Sequence, residues 1–266
     1  MRTFSHPGYK RFLLSVGCLL SIHFTALFFL TLFRLVFFFS ANYDFPDQEH
    51  VGFMSIWPAF IRGVWFDNVI ACYILLIPLV AVSISALFNY YGKILWNVTC
   101  IFFSLFYGIV LLVTAANIPY FQYFFKIINS SVFNWFGYMN TTAGMVFGET
   151  SYYPPLIGFL LTLVLFIWLM RRLIRHFQRL LNTKNPSVFW LDRIYIFLTA
   201  GICIGLCLFG IRGRTGYNPI KVSAAYYCTD PFLNQLGISP VFNLLSSTLD
   251  DSRKENRYLH LMPENE

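Results

Sequence analysis

The chain has 266 residues, of which 57% are hydrophobic and 20% aromatic, while only 12% are charged, with a net charge of +7. The charged fraction is about half that of an ordinary soluble domain, which excludes that class and points to a multi-span membrane protein. The cations gather at a few places beside long apolar runs, so the positive balance reflects topology and not a nucleic-acid surface.

Met1–Arg11 is a short basic head, and Phe12–Ser40 is the first predicted span, too long for a cleaved leader. His23 lies near its middle and is expected to face another helix as a neutral side chain. Arg34 lies in its outer third, where a charge must snorkel or find a partner. Ala41–Asp67 follows as an outer segment, with Asp44, Asp47 and Glu49 and the single cation Arg62; Pro46 and Pro58 argue against one long helix there. Asn68–Phe88 is the second span, Asn89–Lys93 a tight turn, and Ile94–Ala116 the third span.

Asn117–Tyr153 is too polar and broken to span, yet rich in aromatic residues, and is expected to hold a helix lying in the membrane interface. Pro154–Met170 is the core of the fourth span. A basic loop from Arg171 to Arg193 leads into the fifth span, about Trp190–Ile211. The segments predicted to lie inside carry Arg2, Lys10, Arg11, Lys93, Arg171, Arg172, Arg175, Arg179, Lys184 and Arg193. The first two outer segments carry only Arg62 and Lys126. This asymmetry places the amino terminus on the inner side of the membrane and, after five crossings, the carboxyl terminus outside. The tail cations Arg212, Arg214, Lys221, Arg253, Lys254 and Arg257 run against the rule, which governs long trailing segments weakly.

The chain therefore divides into a five-span region, 1–211, and a helical tail, 212–266. In the tail, Asn218-Pro219, Asp230-Pro231 and Ser239-Pro240 each place a capping residue before proline, a pattern that starts helices. Gly237 can stop the second of these, and Val241, Phe242, Leu244, Leu245 and Leu249 give the third an apolar stripe that needs a surface to cover it. The fold class expected is an all-α integral membrane protein with five transmembrane helices, interfacial helices and a short helical tail.

Catalytic constellations are missing from the sequence: there is no HExxH, no GxSxG and no phosphate-binding Gly-rich loop. Cys203 and Cys207 stand four apart without a neighbouring His or carboxylate, and His260 with Glu264 is a lone polar pair, so neither makes a metal site. Five of the six cysteines lie in apolar runs, and only Cys228 is in a polar stretch, so no disulfide framework is implied. What remains is Arg34, Arg62 and Asp67 at the outer face. Asp67 is expected to pair with Arg34 or Arg62, and one arginine is a candidate contact for a lipid phosphate.

Three stretches carry a resemblance. They are Arg62-Gly63-Val-Trp-Phe66-Asp67 before the second span, Ala116-Asn-Ile-Pro-Tyr120-Phe-Gln-Tyr-Phe124 after the third, and Ile211-Arg212-Gly213-Arg214 through Asn218-Pro219 to Phe232-Leu-Asn234-Gln-Leu-Gly-Ile-Ser-Pro240-Val-Phe242-Asn243-Leu. In this order and placement the chain resembles the membrane region and linker of the lipoteichoic acid synthase-like family, sulfatase-fold phosphoglycerol or phosphoethanolamine transferases. The resemblance implies a membrane anchor, in a bacterial cytoplasmic membrane, for a catalytic domain that works on phospholipid headgroups. Family members continue into that domain, which holds manganese or zinc and a threonine nucleophile; none of its residues falls within this chain, so the chain as given is expected to be non-catalytic and to hold no cofactor of its own. Arg212, Asn234, Phe242 and Asn243 are the residues the resemblance would place against the catalytic domain. Membrane lipids are the other expected partners, and nucleic acid is not expected. The alternative reading is a stand-alone small integral membrane protein, an assembly partner or a transporter subunit.

Overall fold

The computed structural model describes residues 6–41, 53–138, 144, 148, 150–181 and 190–253. Arg2, Asp44, Pro46, Asp47, Glu49, Lys184, Lys254, Arg257, His260 and Glu264, which figured in the sequence reading, lie outside the described residues. Five long helices, α1 (Pro7–Ser40), α2 (Phe53–Leu87), α3 (Lys93–Phe124), α4 (Tyr153–Leu181) and α5 (Trp190–Arg212), are long and apolar enough to cross a membrane. Two short ones, α6 (Pro231–Leu236) and α7 (Pro240–Ser252), form the tail. Among the described residues there is no strand. The chain is an all-α, multi-pass membrane protein.

Every long helix outruns the apolar window that announced it. At about 1.5 Å per residue, the 34 residues of α1 reach about 51 Å, well beyond a hydrocarbon core of about 30 Å. α2 begins at Phe53, so most of the second half of the expected outer segment is helix and Pro58 lies inside it. A proline this near the helix start removes one backbone bond in a turn where packing on α1 can compensate. α3 runs through Pro119 to Phe124, taking in aromatic residues expected in an interfacial helix; a 3-10 segment, Ser130–Tyr138, follows among the described residues. α4 continues to Leu181, so Arg171, Arg172, Arg175 and Arg179 sit on a helix and not in a loop. Arginine is a good helix former, and cations at a helix carboxyl end are favoured by its dipole.

α2 is the axis of the bundle. It packs against α1 on one side and α5 on the other, while α3 and α4 form a second pair closed onto α1. The interior is aromatic: Phe29 and Tyr107 both meet Phe166 edge-on, at 6.0 and 5.3 Å between ring centres. Phe24, Phe28, Phe197, Leu206 and many other apolar side chains face outward, as they must where the solvent is hydrocarbon.

The helices alternate in direction, so the bundle has a basic end and a tail end. At the basic end His6 Nδ1 lies 2.7 Å from the fully buried Asp192 Oδ1, and Tyr9 bonds Thr199, latching the start of α1 to α5. At the tail end the chain leaves α5 through Gly213 (φ 72°), a left-handed turn suited to glycine. Ile220 N–H then returns to the Arg212 carbonyl, and only a 3-10 turn, Val222–Ala225, follows, so the helix expected at Pro219 does not form. The other two proline starts do: Asp230 Oδ1 accepts from Leu233 N–H at α6, while Ser239 precedes α7 in extended conformation without a side-chain cap. α6 ends at Gly237.

Candidate functional site

The three outer-face charges of the sequence reading resolve into one buried pair and one bystander. Arg34 Nη2 donates to Asp67 Oδ2 at 2.6 Å, and both side chains are almost wholly enclosed. Arg34 Nη1 donates to the backbone carbonyls of Leu236 and, at 3.1 Å, Ile238. One guanidinium thus ties α1 to α2 through charge and to the tail through the carbonyl end of α6, the end where a helix leaves its oxygens unpaired. Burying such a pair costs desolvation, but removing one partner afterwards costs more.

Room for the guanidinium is made by Gly63, one turn before Asp67 on the same face of α2. A Cβ at Gly63 would stand 2.2 Å from Arg34 Cζ and Nε. Arg62 takes no part in this pair. Its guanidinium carbon lies 4.4 Å from the Tyr227 ring centre, and Tyr227 O–H donates to the Ser55 carbonyl at 2.6 Å, a second clamp between tail and α2. Burial pushes the Tyr227 phenol up, helped by Cys228 and Asp230 and opposed by Arg62. Arg34 is enclosed, whereas Arg62 is half-buried.

The four tail residues assigned to linker contacts are engaged within this chain. Asn234 Oδ1 accepts from Tyr227 and Cys228 N–H, and its Nδ2 donates to the Cys228 carbonyl at 2.7 Å. Phe242 packs on Phe66 with 4.8 Å between ring centres. Asn243 Nδ2 donates to the Ile128 carbonyl, and Arg212 to those of Gly216 and Tyr217. Beside them Gln235 exchanges bonds with Phe125 and Ile127, and Asn117 Oδ1 accepts from Ile128 N–H, fastening the chain that leaves α3. Between that segment and the tail lies an open cleft of about 430 Å³ with polar walls from Lys126, Asn129, Thr229, Asn234, Gln235 and Asn243.

Deeper in the bundle, His23 Nε2 meets Asn68 Oδ1 at 3.1 Å, and a cavity of about 210 Å³ is bounded by both and by Cys72, Cys203 and Cys207. Cys207 Sγ–H points to the Cys72 carbonyl. Among the described residues no group of three or more His, Cys, Asp or Glu stands together as a metal site would require. The sequence reading missed three features: the space over Gly63, the His6–Asp192 latch, and two buried aromatic donors, Tyr91 and Trp96, at the basic end. The first two had visible signals, a glycine one turn before a membrane carboxylate and a lone aspartate opening an apolar run.

The geometry defines a five-helix membrane bundle with its tail docked on one end. No protein-family model, no curated protein and no solved structure matches this chain.

Proposed function

We propose that the chain is the membrane anchor and linker of a sulfatase-like phospholipid headgroup transferase of the cell envelope. The observation that carries this reading is the capture of the Leu236 and Ile238 carbonyls by the buried, Asp67-paired Arg34. An anchor for an enzyme working at a leaflet surface needs a stiff junction between bundle and tail, and this bond set provides one. The polar cleft beside Asn234 and Asn243 then offers a surface for the catalytic domain, which would bring the metal and the nucleophile. In this reading the basic end faces the cytoplasm, the tail end faces outward, and the residues described here position the chemistry without performing it.

The test is deletion of the gene followed by phosphorus NMR of the extracted envelope polymers and lipids. Loss of phosphoglycerol or phosphoethanolamine groups, restored by the wild-type gene and weakly by an Asp67→Asn version, is the expected result. An unchanged phosphorus profile contradicts the reading and favours a stand-alone assembly partner.

A further inference from the structure

The basic end carries a cavity of about 260 Å³ between the start of α1, the turn before α3 and the last turns of α4. Among the described residues its walls include four cations, Arg11, Lys93, Arg175 and Arg179, and no carboxylate. Two aromatic donors complete it. Trp96 is 1% exposed, and its Nε1–H has no hydrogen-bond partner; the Tyr91 hydroxyl is likewise buried and without one. Leaving two such groups unsatisfied costs free energy unless a ligand supplies an acceptor. Burial pushes the Tyr91 phenol up to about 12, against the opposing pull of Arg11, so it is a neutral donor at physiological pH. The cavity also sits at the amino end of α3, whose N-cap is Gly92, a residue with no side chain to offer the first-turn amides. Positive dipole, unpaired donors and cations all call for the same ligand, an oxyanion.

We propose that this cavity binds the phosphate group of an anionic membrane lipid. The phosphate oxygens accept from Trp96 Nε1–H and Tyr91 O–H and are neutralised by the arginines and lysine around them. Lipid is favoured over free phosphate because Ile94 and Leu180, the chain neighbours of Lys93 and Arg179, are apolar and exposed, a surface that acyl chains would cover. Basic pockets at the ends of transmembrane helices hold acidic headgroups in this way. The inference is independent of the enzymatic reading above.

The test is native mass spectrometry of the full chain in detergent, titrated with phosphatidylglycerol, phosphatidylcholine or inorganic phosphate. Phosphatidylglycerol adducts should persist at energies that strip phosphatidylcholine. Arg175 and Arg179 are exposed on α4, so the double variant Arg175→Gln/Arg179→Gln should fold and bind phosphatidylglycerol about 30-fold more weakly. Trp96→Phe, which keeps the ring and loses the N–H, should weaken it further, while Lys126→Gln at the other end should change nothing. Equal retention of the two lipids, or unaltered binding in both basic-end variants, overturns the proposal. Inorganic phosphate binding as tightly as the lipid and displacing it overturns the lipid assignment in favour of a soluble phosphate.

Discussion

Arg34 Nη2 stands 2.6 Å from Asp67 Oδ2, and the same guanidinium reaches two carbonyls at the end of α6. A charge near the end of α1 therefore holds the middle of α2 and the tail at once. Asp67→Asn should cost about 3–5 kcal/mol, because it strands a buried cation. Equilibrium unfolding in detergent micelles measures this; a loss below about 1 kcal/mol would show that the pair contributes little.

Gly63→Ala is the sharper probe of the same contact. Replacing a glycine by alanine inside a helix ordinarily stabilises by about 1 kcal/mol. Here the new methyl would meet Arg34 Cζ at 2.2 Å, so the guanidinium must leave its place. The sign should reverse, with a lower unfolding midpoint and faster hydrogen exchange at Leu236–Val241. A stabilised protein with a protected tail would show that Arg34 has room to move.

The cap of α6 should be separable from the charge pair. Asp230→Ala removes the acceptor for Leu233 N–H and should cost about 1 kcal/mol. Limited proteolysis would then open the segment 226–237 first, with the helical signal of the five long helices unchanged. Cleavage within the long helices at the same protease dose would contradict a locally held tail.

Alkaline pH should release the tail. The Tyr227 phenol is pushed up by burial, so its neutral form is stabilised by the fold: that stabilisation is full below about pH 10, the ordinary tyrosine value, and fades as pH rises through the higher folded value. Arg62, Cys228 and Asp230 face it, and its O–H bond to Ser55 disappears on ionisation. Proteolytic sensitivity of the tail should rise above pH 10 and be much less pH-dependent in Tyr227→Phe. The same alkaline opening in both forms would remove Tyr227 as its cause.

The five crossings were readable because each helix contains a long apolar window, and in a membrane that alone decides helix over strand. Their ends were not. Where the apolar window stops, helix is continued by residues such as Arg171–Arg179 that hydropathy counts against it, or, in α2, by packing on α1. Asp67 was left with two possible partners, yet Arg62 lies five residues before it, off its helical face, whereas antiparallel packing sets the last third of α1 against the first half of α2. Spacing alone therefore carried more than was drawn from it. The tail is the opposite case: the proline at position 219 follows the same rule as those at 231 and 240, but no helix starts there, because Ile220 turns back to bond Arg212.

The most direct test of the whole arrangement is sided labelling of single cysteines in cells, in a background with Cys228 replaced by serine. Tyr217→Cys lies at a fully exposed tail position and Arg179→Cys at the exposed basic end. A membrane-impermeant maleimide should label the first in intact spheroplasts and the second only after permeabilisation. Labelling of both from the same side would contradict an odd number of crossings and, with it, the bundle and the site built on it.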